Sequence, residues 1–285
     1  MSRPTTYVAT LLLCVLALTP KARAAASYTF VTLDAPSATV TEACGVNNGG
    51  QIVGYYYDAK GRIHGFVEKD GDFKTLDFPS AAGTFASGIN DKGQVVGTYN
   101  DGKNFHGFVE HKGVFKTVDF PSASDTFGSG INDDGQVAGY YYTRTTIRGF
   151  VEKDGIYTAL HARFATETYA MGINNKGVVV GYAYNGTLED GLVERNGICI
   201  RLDDPFGYYT FLNGINDRGL VAGTSCDVAM ATCDGFVEKG GVFTMLDPPS
   251  AVYTYASGIN NKGQVVGSYW DSTTTHGFLA YPVTK

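Results

Sequence analysis

Residues 84–119 read TFASGINDKGQVVGTYNDGKNFHGFVEHKGVFKTVD, and nearly all of the chain is this stretch repeated. A Gly-Ile-Asn triplet ends at Asn90, Asn132, Asn174, Asn216 and Asn260, and Gly-Val-Asn ends at Asn47, with spacings of 43, 42, 42, 42 and 44 residues. A glycine before an apolar residue recurs in step at Gly65, Gly107, Gly149, Gly191, Gly235 and Gly277. Copies at a period near 42 define a repeat protein, because one such unit cannot bury its apolar residues alone.

Within one copy, 84–90 and 94–99 are short β-branched or aromatic runs around Asp91-Lys92-Gly93, a three-residue loop with glycine at its left-handed position. A second pair, 105–110 and 114–119, flanks His111-Lys112-Gly113. Nothing follows a helical period, so each copy is a meander of four antiparallel strands. Four short strands per unit, repeated radially, is what a propeller requires. The longer connections carry proline, as in Asp77-Phe78-Pro79, and mark the passage from the outer strand of one unit to the inner strand of the next. With these cuts the units span about 41–77, 84–119, 126–161, 168–203 and 210–247, and a sixth starts at Thr254 but ends after its third strand. The missing strand matches Tyr28–Asp34 at the other end of the chain. The expected fold is therefore all-β: a six-bladed β-propeller of four-stranded antiparallel blades, its ring closed by the N-terminal strand completing the last blade.

The chain opens with Arg3, an apolar run from Val8 to Leu18 and small residues at Ala22, Ala24, Ala25 and Ala26, the pattern of a secretory signal peptide. Cleavage is expected after residue 24 or 26, leaving 25–285 as a single domain of six repeats. Removing residues 1–24 deletes Arg3, Lys21 and Arg23 and no acid, so the formal charge moves from −6 to −9. An acidic chain without a basic stripe argues against nucleic acid and anionic membrane surfaces. A second hydrophobic segment is missing from the sequence, so no membrane insertion is expected. The expectation is a secreted or periplasmic monomer.

The blade signature resembles the bacterial extracellular HAF repeats, named for a His-Ala-Phe triplet. The matching residues are His64-Gly65-Phe66, His106-Gly107-Phe108 and His276-Gly277-Phe278, each accompanied by the Gly-Ile-Asn (Gly-Val-Asn in the first copy) and Val-Gly elements. Glycine stands where that family has alanine, and three copies carry Arg148, Asp190 or Asp234 in place of histidine. The resemblance implies secretion and a repeat fold, and it brings no catalytic residue.

Three histidines at one repeat position invite a metal reading. Equivalent residues on neighbouring sheets stand about 10 Å apart, whereas zinc ligands lie roughly 2 Å from the ion, so no shared metal is expected. Cys226 and Cys233 flank the longest second-to-third-strand loop and are expected to pair in an oxidising compartment, while Cys44 and Cys199 lie across the ring from each other. No nucleophile elbow, phosphate loop or cofactor fingerprint is present, so neither a catalytic set nor a cofactor is expected. The one irregularity near the axis is Glu42, whose copies are Phe85, Phe127, Tyr169, Phe211 and Tyr255. The second-to-third-strand loops differ in every copy, whereas the turns on the opposite face are nearly uniform. Tyr57, Tyr142, Tyr184 and Trp270 lead into those loops, Arg144 lies in one of them, and with Glu42 they form the candidate binding set. Two functions follow. The first is a non-catalytic binding propeller for a glycan, peptide or protein partner. The alternative is a carbohydrate-active enzyme using Glu42 with acids such as Asp125 and Glu167 near the channel.

Overall fold

The glycines of the repeat decide how the strands stack. In the second copy, a Cβ on Gly97 would lie 2.1 Å from the Phe85 carbonyl oxygen and 2.8 Å from the Phe108 ring, so only glycine lets that ring lie flat on the strand. The third-strand rings of Phe66, Phe108, Phe150, Phe236 and Phe278 are fully buried in this way, each contributing about 1.5–3 kcal/mol of transfer free energy. Val95 and Val96, which point to opposite faces, are both buried because sheets pack against both sides of each unit.

The computed structural model describes residues 22–24 and 28–283. The expected leader and its cleavage sites lie outside the described residues, apart from Ala22–Ala24. In the second repeat the strands are Gly83–Ile89, Val95–Asn100, Phe105–His111 and Val114–Val118, joined as an antiparallel meander. Gly93 takes the left-handed conformation at φ 73°, as the first loop requires. The second loop differs from expectation: Lys112 (φ 53°) and Gly113 (φ 83°) are both left-handed, a two-residue turn whose twist suits the strands it joins. Glu110 supports that turn by accepting the Gly113 N–H at 2.5 Å, and Glu68, Glu152, Glu194 and Glu238 repeat the contact. Tyr28–Leu33 pairs antiparallel with Thr275–Pro282, from Tyr28 opposite Pro282 to Leu33 opposite Gly277.

The molecule is an all-β propeller, but the expectation of six separate four-stranded blades is corrected by the hydrogen bonding. The strands form five sheets, of which only three are self-contained with four strands; one has eight and one has five. The eight-stranded sheet arises because Gly83 bridges to Ile63 in parallel, fusing the first two repeats. The other repeats carry Val40, Asp125, Glu167, Tyr209 or Tyr253 at that position. The five-stranded sheet arises where Ala22–Ala24 adds parallel to Val242–Leu246, an outer edge with unpaired backbone groups.

The inner strands still circle one axis. Asn47 Nδ2 donates to the Asn90 carbonyl at 3.1 Å, and the contact passes through Asn132, Asn174, Asn216 and Asn260 back to the Asn47 carbonyl at 3.1 Å. The threonines that start five of these strands hold the connections: Thr84 Oγ1 accepts the Phe78 N–H at 2.9 Å, and Thr41, Thr126 and Thr210 make the same bond. In the fourth repeat, where the Asp-x-Pro step is lost, Thr168 bonds Gly149 N and the Leu160 carbonyl instead.

Candidate functional site

An axial channel follows from this ring, and its two ends differ. At the end carrying the uniform turns, the side-chain oxygens of Asn48, Asp91, Asp133, Asn175, Asp217 and Asn261 accept the backbone N–H of the preceding repeat at 2.7–2.9 Å, closing a second ring outside the first. The pit they leave has about 70 Å³. Below it the channel runs between Gly88 and its copies as a throat of about 90 Å³. A Cβ at Gly88 would lie 2.8 Å from the Ser129 carbonyl oxygen, and one at Gly258 would lie 2.7 Å from that of Cys44.

Past this throat, on the side of the variable loops, the channel widens into a cavity of about 520 Å³. Its walls come from first-strand Phe85, Phe127 and Tyr255, second-strand Tyr55 and Tyr140, and third-strand Phe105; its floor carries Cys44, Ser87, Ser129, Asn213 and Ser257. Ladder register explains the pairing of the walls, since Glu42 lies opposite Tyr55 and Phe127 opposite Tyr140. The room arises because the copies of Tyr55 include Thr98, Thr224 and Ser268, whose side chains are small. The aromatic contacts run continuously: Tyr55 meets Phe85 edge-on at 5.0 Å, Phe105 stacks on Phe127 at 5.2 Å, and Phe127 stacks on Tyr140 at 4.7 Å. Beyond the cavity lining the belt continues through Tyr169, Tyr182 and Phe211.

Glu42 is the acid among the residues lining this cavity, and no Lys, Arg or His stands with it there. Burial raises its pKa above the usual carboxylate range, partly offset by a hydrogen bond from Tyr55. Burial also pushes the Cys44 thiol up, with the Glu42 charge adding to the effect, and it does the same to the Tyr55 and Tyr140 phenols.

The structure gathers part of the candidate set. Tyr57 stands behind Tyr55 at 6.3 Å, and Tyr142 lies 5.4 Å from Phe127, so both back the cavity wall behind Glu42 and its neighbours. Tyr184, Trp270 and Arg144 are not among the lining residues. Tyr184 sits in register between Glu167 and Glu189, Trp270 stacks on Tyr253 at 5.3 Å, and Arg144 is exposed in its loop. Asp125 accepts the Phe105 N–H at 3.0 Å, and Glu167 accepts the Tyr169 hydroxyl at 3.1 Å, so neither joins Glu42 in the cavity. Glu189 has a raised pKa, from burial first and then from the nearby Glu167 charge. The histidines are held separately. His106 Nδ1 lies 2.8 Å from Asp119 and its ring stacks on Tyr99 at 5.0 Å; His64 and His276 repeat the arrangement. Sequence reasoning missed Tyr55, Tyr140 and Phe105. The signal was present for the first two, because strand alternation puts Tyr55 on the face of Tyr57, and Tyr140 on that of Tyr142.

Cys226 and Cys233 form a disulfide with sulfurs 2.04 Å apart across the longest of the variable loops. Cys44 and Cys199 are free. Among the described residues, no helix is long and apolar enough to cross a membrane.

An axial channel, small at one end and walled by aromatics at the wider other, defines the class as a propeller with a central cavity. No protein-family model matches the chain, and no curated protein does. Solved structures do resemble it. TolB from Acinetobacter baumannii aligns with a TM-score of 0.60 at 13% identity, over 81% of this chain and 63% of TolB, so the chain spans less than two thirds of that protein. A nidogen/laminin complex aligns at 0.54 and 12%, over 80% of this chain and 88% of its own. An Aleuria aurantia lectin mutant in complex with Fucalpha1-6GlcNAc aligns at 0.53 and 10%, over 88% and 99%. At these identities the likeness extends to the fold alone.

Proposed function

We propose that this chain is a secreted or periplasmic, non-catalytic binding propeller of the HAF-repeat kind, which takes a glycan, peptide or protein partner on its variable-loop face. The observation that carries the reading is the aromatic axial cavity of about 520 Å³ on that face, at the end of a ring whose other end is ringed by hydrogen-bonded asparagines around a pit of about 70 Å³. Cavities of this size with aromatic walls and few polar groups are the usual form of ligand sites. The Cys226–Cys233 disulfide supports an oxidising compartment. Two of the structural neighbours are complexes, one with a fucosylated sugar and one between nidogen and laminin, which is compatible with a binding role. The carbohydrate-active alternative needs a second carboxyl at roughly 5–9.5 Å, and Glu42 is the only acid among the described residues that line the cavity.

A glycan and surface-protein binding screen with purified mature protein tests the proposal. A partner should be found whose affinity falls in Phe127→Leu and Tyr142→Ala. Unchanged affinity in both, with loss on replacing Lys92 or Lys153 in the uniform turns, would move the site to the opposite face.

A further inference from the structure

Glu42 has no packing reason to be an acid. The other five repeats place Phe or Tyr at this position, in the same first strand and beside the same channel, and the ring accommodates them. A carboxylate here is half-buried among the rings that line the cavity, and Tyr55 supplies it with a hydrogen bond. An ion partly withdrawn from water without a partner of opposite charge carries a cost, and the residues lining the cavity include no cation to offset it. The walls themselves favour one kind of partner. The faces of Phe and Tyr rings carry negative quadrupole potential and attract cations within about 6 Å of the ring centre. Cys44 and the tyrosines stay neutral because burial raises their pKa values, so Glu42 sets the sign of the site.

From this arrangement we infer that the cavity selects an organic cation, an alkylammonium or quaternary ammonium group carried by the partner, seated beside the Glu42 carboxylate among the rings of Tyr55, Phe85, Phe127 and Tyr255 that line the cavity with it. The inference rests on the cavity being the binding site. Anionic groups are repelled there, and a neutral group of the same shape gains the rings but leaves the carboxylate uncompensated. The channel throat limits penetration, because the space between Gly88 and its copies is about 90 Å³ against about 520 Å³ in the cavity. The cation therefore enters from the variable-loop face as the end of a chain or a small headgroup.

Titration calorimetry on the full chain tests this with two matched pairs. Choline is compared with 3,3-dimethyl-1-butanol, its neutral isostere, and Nα-acetyl-lysine amide with its Nε-acetylated form. In at least one pair the cation should bind about tenfold more tightly than the neutral partner, and which pair it is distinguishes a headgroup from a lysine-like source. Glu42→Gln should reduce the cation to the level of its neutral partner, while Phe127→Leu should weaken both members. Thermal melting of both variants verifies that each is folded. Equal binding within both pairs, or discrimination that survives Glu42→Gln, overturns the inference. A screened partner that binds wild type and Glu42→Gln equally but is lost in Phe127→Leu leaves the cavity as the binding site and removes the cation. A partner unaffected by either variant removes the cavity as well.

Discussion

The two ends of the axial channel are built from the same six inner strands and obey opposite rules. At the uniform-turn end every repeat supplies the same asparagine, and each amide bonds the asparagine carbonyl of the next repeat. Asn132 donates to the Asn174 carbonyl and to Gln136, and accepts from Gln136 N and Asp134 N. At the cavity end the equivalent positions vary from Glu to Phe to Tyr, and the second strand alternates between Tyr, Thr and Ser. Where a side chain must bond its own copy in the next repeat, divergence in one repeat breaks a ring. Where it only borders open space, divergence is tolerated, and binding residues can appear. One end of the channel holds the ring together and the other is free to recognise.

Substitutions at the two ends separate these roles. Gly258→Val should be the most damaging, because its Cβ would already lie 2.7 Å from the Cys44 carbonyl oxygen and 3.0 Å from the Gly45 Cα, both backbone atoms of the neighbouring repeat. It should cost about 3 kcal/mol, read as a lowered urea midpoint, and retention of the parent midpoint would show that the throat is not a tight contact. Next comes Asn132→Ala, which strips one link from the buried amide ring and should cost about 2 kcal/mol. Phe127→Leu at the cavity end should cost clearly less in the same assay; equal losses would erase the contrast between the ends.

Glu42→Gln sharpens the contrast through pH. Burial raises the Glu42 pKa, against the lowering effect of the Tyr55 hydrogen bond. A carboxyl raised in the folded state contributes stability that is fully present below its unfolded value, about 4.3, and is lost as pH rises through the folded value. Wild type should therefore fall behind Glu42→Gln between acid and neutral pH, and parallel melting curves at both pH values would show that the carboxyl is not desolvated. The smallest effect belongs to His106, outside the channel. Burial lowers its pKa, but hydrogen bonds and charge from Asp119 and Asp101 prevail and leave it raised. Its contribution should be fully present below about pH 6.5 and fade as pH rises through the raised value. The stability gap between wild type and His106→Asn should shrink accordingly, and a gap that widens with pH would contradict the ion pairing.

Strand positions were legible because they depend on neighbours in sequence. The loop at Asp91–Gly93, the apolar Val95-Val96 pair and the match of 28–34 to a fourth strand were all visible in the period, and each element ends within about two residues of its expected bound. Glu42 was visible too, as an acid in an aromatic column. The division into sheets was not visible. It turned on a single contact, Gly83 against Ile63, between residues in different repeats.

The sequence by itself determined an all-β repeat protein, its antiparallel meanders, the disulfide across one loop and the face on which variation is concentrated. These follow from local periodicity, turn chemistry and spacing, which act within a few residues along the chain. Only the tertiary structure decided that five sheets share the strands, that the asparagines close into a ring, and that Glu42 faces the aromatics of other repeats while Trp270 turns to Tyr253. Those outcomes depend on the distance of closest approach between repeats some 42–44 residues apart in sequence, which local periodicity does not encode.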